Sequence, residues 1–290
     1  MPRIAVVTDS SVCLPRELVE QYGIAVIPLL LIIEDKEYLD GVDITHGEFY
    51  AKLKQAKKLP TTSSPSPGQY LEVFQELSQR AEGILCITVS SKVAMMYDSA
   101  RQAVELAKET IPQTPIELID SKTSTMAQGY MVLAAARAAA QGQSLDQVAQ
   151  IVREMVPQAN LIFLLDTLHY MAKGGRIPKA AAWASSLLSI KPILTLSERD
   201  SDGEVTLLER VRTKSRGINR LLSIMEERVA EGASVRAAVH HVDALEEAQR
   251  LRERIQSRFH CEEFYITEAT PVVGTHTGPG LLMIAFFSGI

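Results

Sequence analysis

Short apolar runs in this chain end repeatedly at small residues that carry oxygen. The runs cover 4–7, 84–89, 116–119 and 161–165, and Ser, Thr or Asp follows each of them. Runs of this length are typical of strands buried in a parallel sheet, and Ser, Thr and Asp are common helix N-caps. The pattern therefore predicts strands that end where helices begin. In an open α/β sheet, such junctions line the edge where ligands bind.

The first half of the chain alternates these strands with helical patterns. A further strand is predicted over 26–33, and Thr45 and Ser144 have capping-box spacing before apolar residues at helical intervals. An Ala-rich helix is predicted over 126–141. Strands that alternate with helices favour right-handed parallel units. We therefore predict a mainly parallel α/β domain over residues 1–158.

The second half has more consecutive strands and fewer helices. The segments 192–196 and 205–208 flank Asp-Gly and predict a hairpin with a longer connection. Another strand is predicted over 272–275. Consecutive strands favour antiparallel or mixed pairing. The fold class predicted for the chain is thus α/β with two domains, the second being a mixed or antiparallel α+β sheet over 159–290.

Composition narrows the class of function. The 290 residues are 46% apolar with a net charge of −5 spread along the chain, so we expect a substantial core and no nucleic-acid binding. No apolar segment reaches the roughly 20 residues of a membrane span. The start, Met1–Ile4, leads directly into a strand, so we expect no signal peptide. Three widely spaced cysteines favour reduced thiols and a cytoplasmic location.

Several polar segments are candidates for a site. The loop 61–68 is rich in Ser, Thr and Pro, and is either a solvated linker or a stiff loop whose hydroxyls face a ligand. The segment 173–176 is either a surface turn or a basic loop for an anionic group, and Arg212 lies in a second cationic pair. His276, at a predicted strand end beside glycines, is a candidate carboxylate donor that ordinarily titrates near neutral pH.

Known catalytic motifs are missing from the sequence. It contains no GxSxG, no P-loop, no GxGxxG after a strand and no Cys/His spacing for zinc, so we expect neither cofactor nor metal. One enzymatic alternative stays open, in which Asp9, Asp120 and His276 form a hydrolase or transferase site for an acyl ester or a phosphoryl group. An Asp at a strand-to-helix junction, however, more often caps the helix.

An ordered set of motifs along the whole chain resembles the DegV proteins. These are bacterial fatty-acid-binding proteins that include the FakB subunit of fatty acid kinase. The motifs that carry the resemblance are Val7–Ser11, Thr62–Ser66, Ser90–Lys92 with Tyr97, Asp120–Ser121, Gly174–Ile177, Leu188–Ile193, Val211–Thr213 and His276–Gly280.

The resemblance implies a two-domain α/β protein that holds one long-chain fatty acid in an internal tunnel. It also implies a partner, the ATP-binding subunit of a fatty acid kinase, which phosphorylates the carboxylate of the bound acid. The chain itself is then a lipid carrier without a nucleotide site and without kinase or esterase activity. Transient contact with a membrane surface is left open.

The resemblance also assigns roles by position. Thr62, with Ser63 beside it, matches the family threonine that binds the carboxylate, and His276 matches the family histidine near that head group. Arg176 and Arg212 match arginines associated with the kinase-facing side or the transferred phosphate. We therefore expect Thr62 and His276 to converge at the polar mouth of an apolar cavity.

One segment departs from the family pattern. Family members usually carry Ser-Gly-Thr where this chain has Ala94-Met95-Met96, so the second carboxylate donor is missing. Losing that donor should cost on the order of 1–3 kcal/mol, whereas burying ~15 methylenes at ~0.8 kcal/mol each contributes roughly 12 kcal/mol. Lipid binding is therefore predicted to survive, with Ser91, Ser90 or a water replacing the missing donor and Ala94 at the ligand. Met95 and Met96 either adapt to the ligand or belong to the core side of a helix. A different amphipathic ligand is the weaker alternative.

Overall fold

A computed structural model describes residues 4–56, 58–177 and 190–289. Residues 1–3 of the expected start, and positions 188–189 of the motif 188–193, lie outside the described residues. In the described ranges, the strands are β1 (Ile4–Asp9), β2 (Ala25–Ile27), β3 (Leu30–Ile33), β4 (Lys36–Leu39), β5 (Thr61–Ser63), β6 (Gly83–Thr88), β7 (Ile116–Asp120), β8 (Asn160–Leu164), β9 (Lys191–Thr195), β10 (Thr206–Val211), β11 (Val235–His241), β12 (Cys261–Glu268) and β13 (Leu282–Ser288). The helices there are α1 (Arg16–Tyr22), α2 (His46–Gln55), α3 (Pro67–Ser78), α4 (Met96–Thr110), α5 (Thr125–Ala140), α6 (Leu145–Met155), α7 (His169–Lys173), α8 (Glu198–Ser201), α9 (Lys214–Arg228), α10 (Leu245–Gln256) and α11 (Pro271–Thr277).

The parallel sheet predicted for the first half is confirmed. Its strands lie in the order β2-β1-β6-β7, and every pairing is parallel. All residues of β1 and β6 are buried, which explains their unbroken apolar runs. The carboxyl ends of β1, β6 and β7 therefore meet at one edge, where Asp9 and Asp120 end their strands.

The mixed sheet predicted for the second half is also confirmed. Its strands lie in the order β10-β9-β8-β13-β11-β12, and β11–β12 is the parallel pair. The predicted hairpin corresponds to β9 and β10, which pair antiparallel across a connection that contains α8. The strand β8 is antiparallel to both of its neighbours, β9 and β13. Its junction at Asp166 therefore does not belong to the parallel edge, although its apolar run resembles the other three.

Helix α5 joins the two large sheets. It contacts β1 and β6 of the parallel sheet and β13 of the mixed sheet. Most of its residues are buried, and many of them are Ala or Gly, so both sheets approach its backbone closely. The Tyr130 hydroxyl donates to the Ala237 carbonyl at 2.6 Å and fixes the helix to β11. The apolar core consequently includes residues from both halves of the chain, such as Val7 and Phe287.

The single strand predicted over 26–33 is wrong. It divides at Pro28 into β2, which stays in the parallel sheet, and β3, which joins a small antiparallel sheet in the order β4-β3-β5. Proline has no N–H to donate to a strand ladder, so the chain leaves the first sheet there. The segment expected to be a loop, 61–68, supplies β5 at its start. Thr62 thus lies on a strand, opposite Leu31.

The strand predicted over 272–275 is also wrong, because this segment forms helix α11. Pro271 occupies the first helical turn, where its missing N–H is tolerated. The Thr275 hydroxyl donates to the Pro271 carbonyl one turn earlier. His276 therefore lies in the last turn of a short helix and not at a strand end.

The division into domains 1–158 and 159–290 stays a prediction. A 3₁₀ turn over Val156–Gln158 connects α6 to β8 and separates the parallel sheet from the mixed sheet along the chain. The predicted capping boxes at Thr45 and Ser144 are both present. Each closes the start of a helix in the first half and stabilises it by about 1 kcal/mol.

Candidate functional site

A cavity lies where the carboxyl edge of the parallel sheet meets the mixed sheet. Val89 follows β6, Phe163 lies on β8 and Met283 lies on β13, and all three line it. The empty space between the lining residues, with the open solvent at the mouth included, is about 710 Å³. Aliphatic side chains dominate the walls, among them Leu29, Val93, Leu161, Leu196, Val205 and Val272. The cavity therefore suits a ligand with a long apolar part.

Two polar side chains meet at one end of this cavity. Strand β5 presents Thr62 and the last turn of α11 presents His276, with Thr62 Oγ1 2.9 Å from His276 Nε2. Both residues line the cavity. The structure thus brings together two residues that lie 214 positions apart in the sequence.

His276 is a neutral ring in this position. Burial, and to a lesser degree the charge of Arg176, lowers the pKa of His276 to about 3. The expectation that it titrates near neutral pH is therefore wrong, because the packed ring has lost its hydration. A neutral imidazole keeps one N–H donor. A Cβ on Gly174 would lie 2.6 Å from His276 Nδ1, so the backbone of 174 holds the ring closely.

Arg176 supplies the positive charge at this end. Its Nη2 lies 3.5 Å from Thr62 Oγ1, and its other nitrogens donate to the carbonyl oxygens of Val93 at 3.3 Å and Gly174 at 2.6 Å. No carboxylate of the described residues forms an ion pair with it. Burial lowers the pKa of Arg176, yet a guanidinium stays charged in a protein. An unpaired cation beside an apolar cavity suits an anionic head group.

Thr62, Arg176 and His276, hereafter the mouth, also line a second space on the protein surface. Lys58, His169 and Lys173 line this outer cleft and are exposed. Two lysines and an arginine give the cleft a positive potential. The mouth therefore lies between an apolar interior and a basic surface.

Of the other residues predicted for the site, one lines the cavity and four do not. Ala94 lines the cavity, whereas Ser63 and Arg212 are exposed and do not. Met95 is 61% exposed, because it precedes the first turn of α4 and points outward. The Ser91 hydroxyl donates to Asp120 at 2.5 Å and lies outside the lining, so it is not in place to substitute for the missing family serine.

The carboxylates of the enzymatic alternative do not share a site with His276. Asp9 is buried and accepts hydrogen bonds from Ser11, Val89 N and Gln128. Its burial raises its pKa despite these bonds. Asp120 accepts from Ser91 and from Lys122 N. Neither carboxylate lines the cavity or contacts His276, so both hold local backbone in place.

Comparison with known proteins identifies the family. The model for the DegV family, described as an uncharacterised protein family, matches residues 3–289. The chain belongs to the DegV family. A DegV domain-containing protein from Clostridium perfringens is 34% identical over 283 residues, which cover 98% of each chain. The predicted resemblance is thereby confirmed.

Solved structures of similar proteins have the same fold. A DegV family protein from Thermus thermophilus, presented for its fatty acid binding, superposes with a TM-score of 0.90 at 30% identity, over 99% of this chain and 100% of that one. A stearic-acid-binding protein from Eubacterium ventriosum superposes with a TM-score of 0.89 at 26% identity, over 99% and 98% of the two chains. The predicted fold class is confirmed by this agreement.

Sequence reasoning missed part of the cavity lining of this DegV chain. Ser124 and Thr125, at the start of α5, line the cavity together with Ser11 and Ser64. The run of hydroxyl residues 123–125, directly after the recognised pair 120–121, was the available clue. It was not used, because nothing in spacing alone distinguishes a hydroxyl that caps a helix from one that faces a cavity.

Two further observations concern metals and membranes. Within 4–56, 58–177 and 190–289, no three His, Cys, Asp or Glu side chains group as a metal site would require. None of the helices in the part of the chain that the structure describes combines the length and apolarity needed to cross a bilayer.

Proposed function

We propose that this DegV protein binds one long-chain fatty acid, with its tail in the cavity and its carboxylate at the mouth. The observation that carries the proposal is Arg176, which forms no ion pair within the described residues and lies at the end of an aliphatic cavity beside Thr62 and His276. The fatty-acid binding described for the Thermus thermophilus relative and the stearic acid of the Eubacterium ventriosum relative support the ligand class.

The mouth offers three kinds of stabilisation to a carboxylate. Arg176 contributes charge, Thr62 contributes a hydroxyl, and the neutral His276 contributes one N–H. A buried carboxylate without such donors would protonate or stay in water. The tail favours entry by about 0.8 kcal/mol for each buried methylene. The mouth therefore orients the ligand, and the cavity supplies most of the affinity.

Removing the Thr62 hydroxyl tests the proposed anchor. Thr62→Ala removes a donor and leaves the head group under-satisfied, which should weaken stearate binding roughly 5- to 100-fold. Thr62→Ser should keep most of the affinity. Thr110→Ala is the matched control, because the hydroxyl of this exposed residue donates to the Leu106 carbonyl within α4. Displacement of a fluorescent fatty acid measures all four proteins. Full affinity in Thr62→Ala would reject the anchor.

The finer part of the proposal is that the bound acid is presented to a partner kinase. The carboxylate at the mouth faces the basic outer cleft, which suits an incoming phosphoryl group. A carboxylate oxygen would bond to the γ-phosphorus of ATP held by the partner, the bond between that phosphorus and the β,γ-bridging oxygen would break, and ADP would leave. This chain supplies the acid and no nucleotide site, and its location is proposed to be cytoplasmic, where ATP is available.

Charge reversal in the outer cleft tests the presentation step. Lys58→Glu and Lys173→Glu should slow acyl-phosphate formation by an added ATP-binding kinase subunit at least tenfold, with stearate affinity within threefold of the parent. Arg212→Glu tests the kinase-facing role proposed for that exposed residue. Acyl phosphate formed from ATP by this chain alone would contradict the carrier role. Unchanged rates in all three variants would contradict the docking face.

A further inference from the structure

The cavity contains a second group of polar side chains, away from the mouth. Ser64 and Thr277 adjoin the mouth residues Thr62 and His276 along the chain, whereas Ser11, Ser124 and Thr125 line the cavity around the start of α5. We call these last three residues the inner end. Ser11 and Ser124 both adjoin the first turn of α5. The side chain of Gln128 lies 3.4 Å from the Ser11 hydroxyl, and the backbone N–H of Gln128 donates to the Ser124 carbonyl. The interior is therefore not uniformly apolar.

Two of the three hydroxyls of the inner end, those of Ser124 and Thr125, have no strong hydrogen-bond partner among the described residues. Ser124 is only 8% exposed and is the N-cap residue of α5, yet its side chain makes no capping bond and has no other partner among the described residues. The hydroxyl of Thr125 contacts only the Met283 sulfur, at 3.4 Å, which is a weak acceptor. A hydroxyl that faces a cavity without a protein partner can pair with water or with a polar group of a ligand.

The same end offers both donors and acceptors. The Ser11 proton is committed to Asp9 at 2.5 Å, so its hydroxyl presents lone pairs to the cavity. Ser124 is free to donate and to accept. The first-turn N–H groups of α5, a helix of 16 residues, add donor character. A ligand O–H could therefore donate to Ser11 or Ser124 and accept from Ser124.

The inner end suits a neutral oxygen better than a carboxylate. Arg176 is the cation among the described lining residues, and it lies at the mouth. The Asp9 carboxyl lies directly behind Ser11 and disfavours a second anion. His240, which accepts the Met126 N–H under the start of α5, is uncharged, since burial lowers its pKa to about 3. The ligand's carboxylate thus belongs at the mouth and a neutral oxygen at the inner end.

We propose that the cavity selects fatty acids with a second oxygen along the chain, with hydroxy fatty acids as the ligand class. The hydroxyl of such an acid would pair with Ser124, and Ser11 or Thr125 would complete its bonds. The inference rests on the proposed fatty-acid function, and within it specifies which subclass of fatty acid the inner end would recognise.

A competition assay between stearate and a series of hydroxystearates tests this selection. The isomers carry the hydroxyl at different positions along the middle and distal part of the chain. If the cavity held no hydrogen-bond partner for the ligand hydroxyl, every isomer should bind roughly 5- to 100-fold more weakly than stearate. We expect at least one isomer to match or exceed stearate on the parent protein. Ser124→Ala should weaken that isomer about tenfold relative to stearate, so the ratio of the two affinities is the quantity compared between parent and variant.

Two further variants keep the test interpretable. Ser124→Cys keeps a side-chain atom at the γ position but only as a weak hydrogen-bonding group, so it should resemble Ser124→Ala. Ser223→Ala removes a hydroxyl bonded within α9 and should resemble the parent. If stearate binds but every hydroxystearate is disfavoured equally in parent and variants, the inference is wrong and the fatty-acid site stands. If the parent binds neither stearate nor any hydroxystearate, the proposed function fails as well.

Discussion

Replacing Gly174 by Ala tests whether the position of His276 sets fatty-acid affinity. A Cβ on Gly174 would lie 2.6 Å from His276 Nδ1 and 3.1 Å from the Tyr170 carbonyl oxygen. The ring must withdraw by roughly 0.8 Å to restore an ordinary van der Waals distance. Such a shift is large enough to disrupt the geometry of the 2.9 Å hydrogen bond with Thr62.

The size of the effect follows from those two changes. Losing the hydrogen bond costs about 0.5–1.5 kcal/mol, and overpacking a tight site costs about 1–3 kcal/mol. We therefore expect Gly174→Ala to lower the free energy of unfolding by about 1–3 kcal/mol and stearate affinity roughly 3- to 30-fold. Gly47→Ala is the matched control, because no atom lies within 4 Å of its Cβ and its φ is ordinary. It should leave affinity unchanged.

Urea denaturation and displacement of a fluorescent fatty acid measure the two quantities separately. Both proteins must remain folded at the assay temperature, which far-UV circular dichroism checks. If Gly174→Ala loses stability but binds stearate as tightly as Gly47→Ala does, the ring position is irrelevant to the head group. The role assigned to His276 would then be refuted.

Three other predictions follow from buried groups at the site. The pKa of folded His276, about 3, lies below the unfolded value near 6.5, so the unfolded chain binds more protons and stability falls as pH drops from about 6.5 towards 3. In His276→Gln, acid titration of the unfolding free energy should show a slope shallower by up to about 1.4 kcal/mol per pH unit, and an unchanged slope would contradict the neutral buried ring. Asp9→Asn replaces one acceptor oxygen by an NH₂ group, which faces the N–H of Val89 or the hydroxyl of Ser11 without an acceptor. Urea denaturation should therefore show the free energy of unfolding lowered by about 2–4 kcal/mol. A decrease of less than about 0.5 kcal/mol would contradict the role of Asp9 in holding this edge of the sheet. Ala94→Ser adds a hydroxyl to the cavity wall and should strengthen stearate binding about 3- to 10-fold by displacement assay, whereas weaker binding would place the head group elsewhere.

Burial explains which strands could be predicted from the sequence. The runs at β1 and β6 are buried throughout, so their apolar residues are continuous and the parallel sheet follows. The run at β8 looks the same, although its neighbours are antiparallel, because a central strand of any sheet is covered on both faces. Apolar continuity therefore predicted burial for β1, β6 and β8 but not for β7, an edge strand that is mostly half-buried, and it could not determine strand direction.

Helix α11 shows where local preference failed. Val272 and Val273 favour a strand, and the segment is too short to show helical periodicity. Tertiary packing decides instead, because a Cβ on Gly274 would lie 2.4 Å from the Tyr50 hydroxyl, so the helix fits closely against that ring. Such an approach is visible only after folding.

The site itself could be predicted from resemblance but not from spacing. Thr62 and His276 lie 214 positions apart, so no local pattern could pair them. At the start of α4, the sequence predicts the same role for Met95 and Met96, yet Met96 is buried and Met95 is 61% exposed. Adjacent residues on a helix point about 100° apart, which separates their roles. Ser91 has the chemistry of a carboxylate donor, but the sequence does not show that its hydroxyl donates to Asp120 instead.

Mass spectrometry of the protein purified from cells without added lipid tests the central claim most directly. Native spectra give the mass that each chain retains, and organic extraction followed by lipid analysis identifies it. The account predicts one long-chain fatty acid per chain, plain or hydroxylated, and its loss or reduction in Thr62→Ala. A protein that carries another class of lipid, or that is empty and takes up no fatty acid when it is offered in excess, would contradict the account.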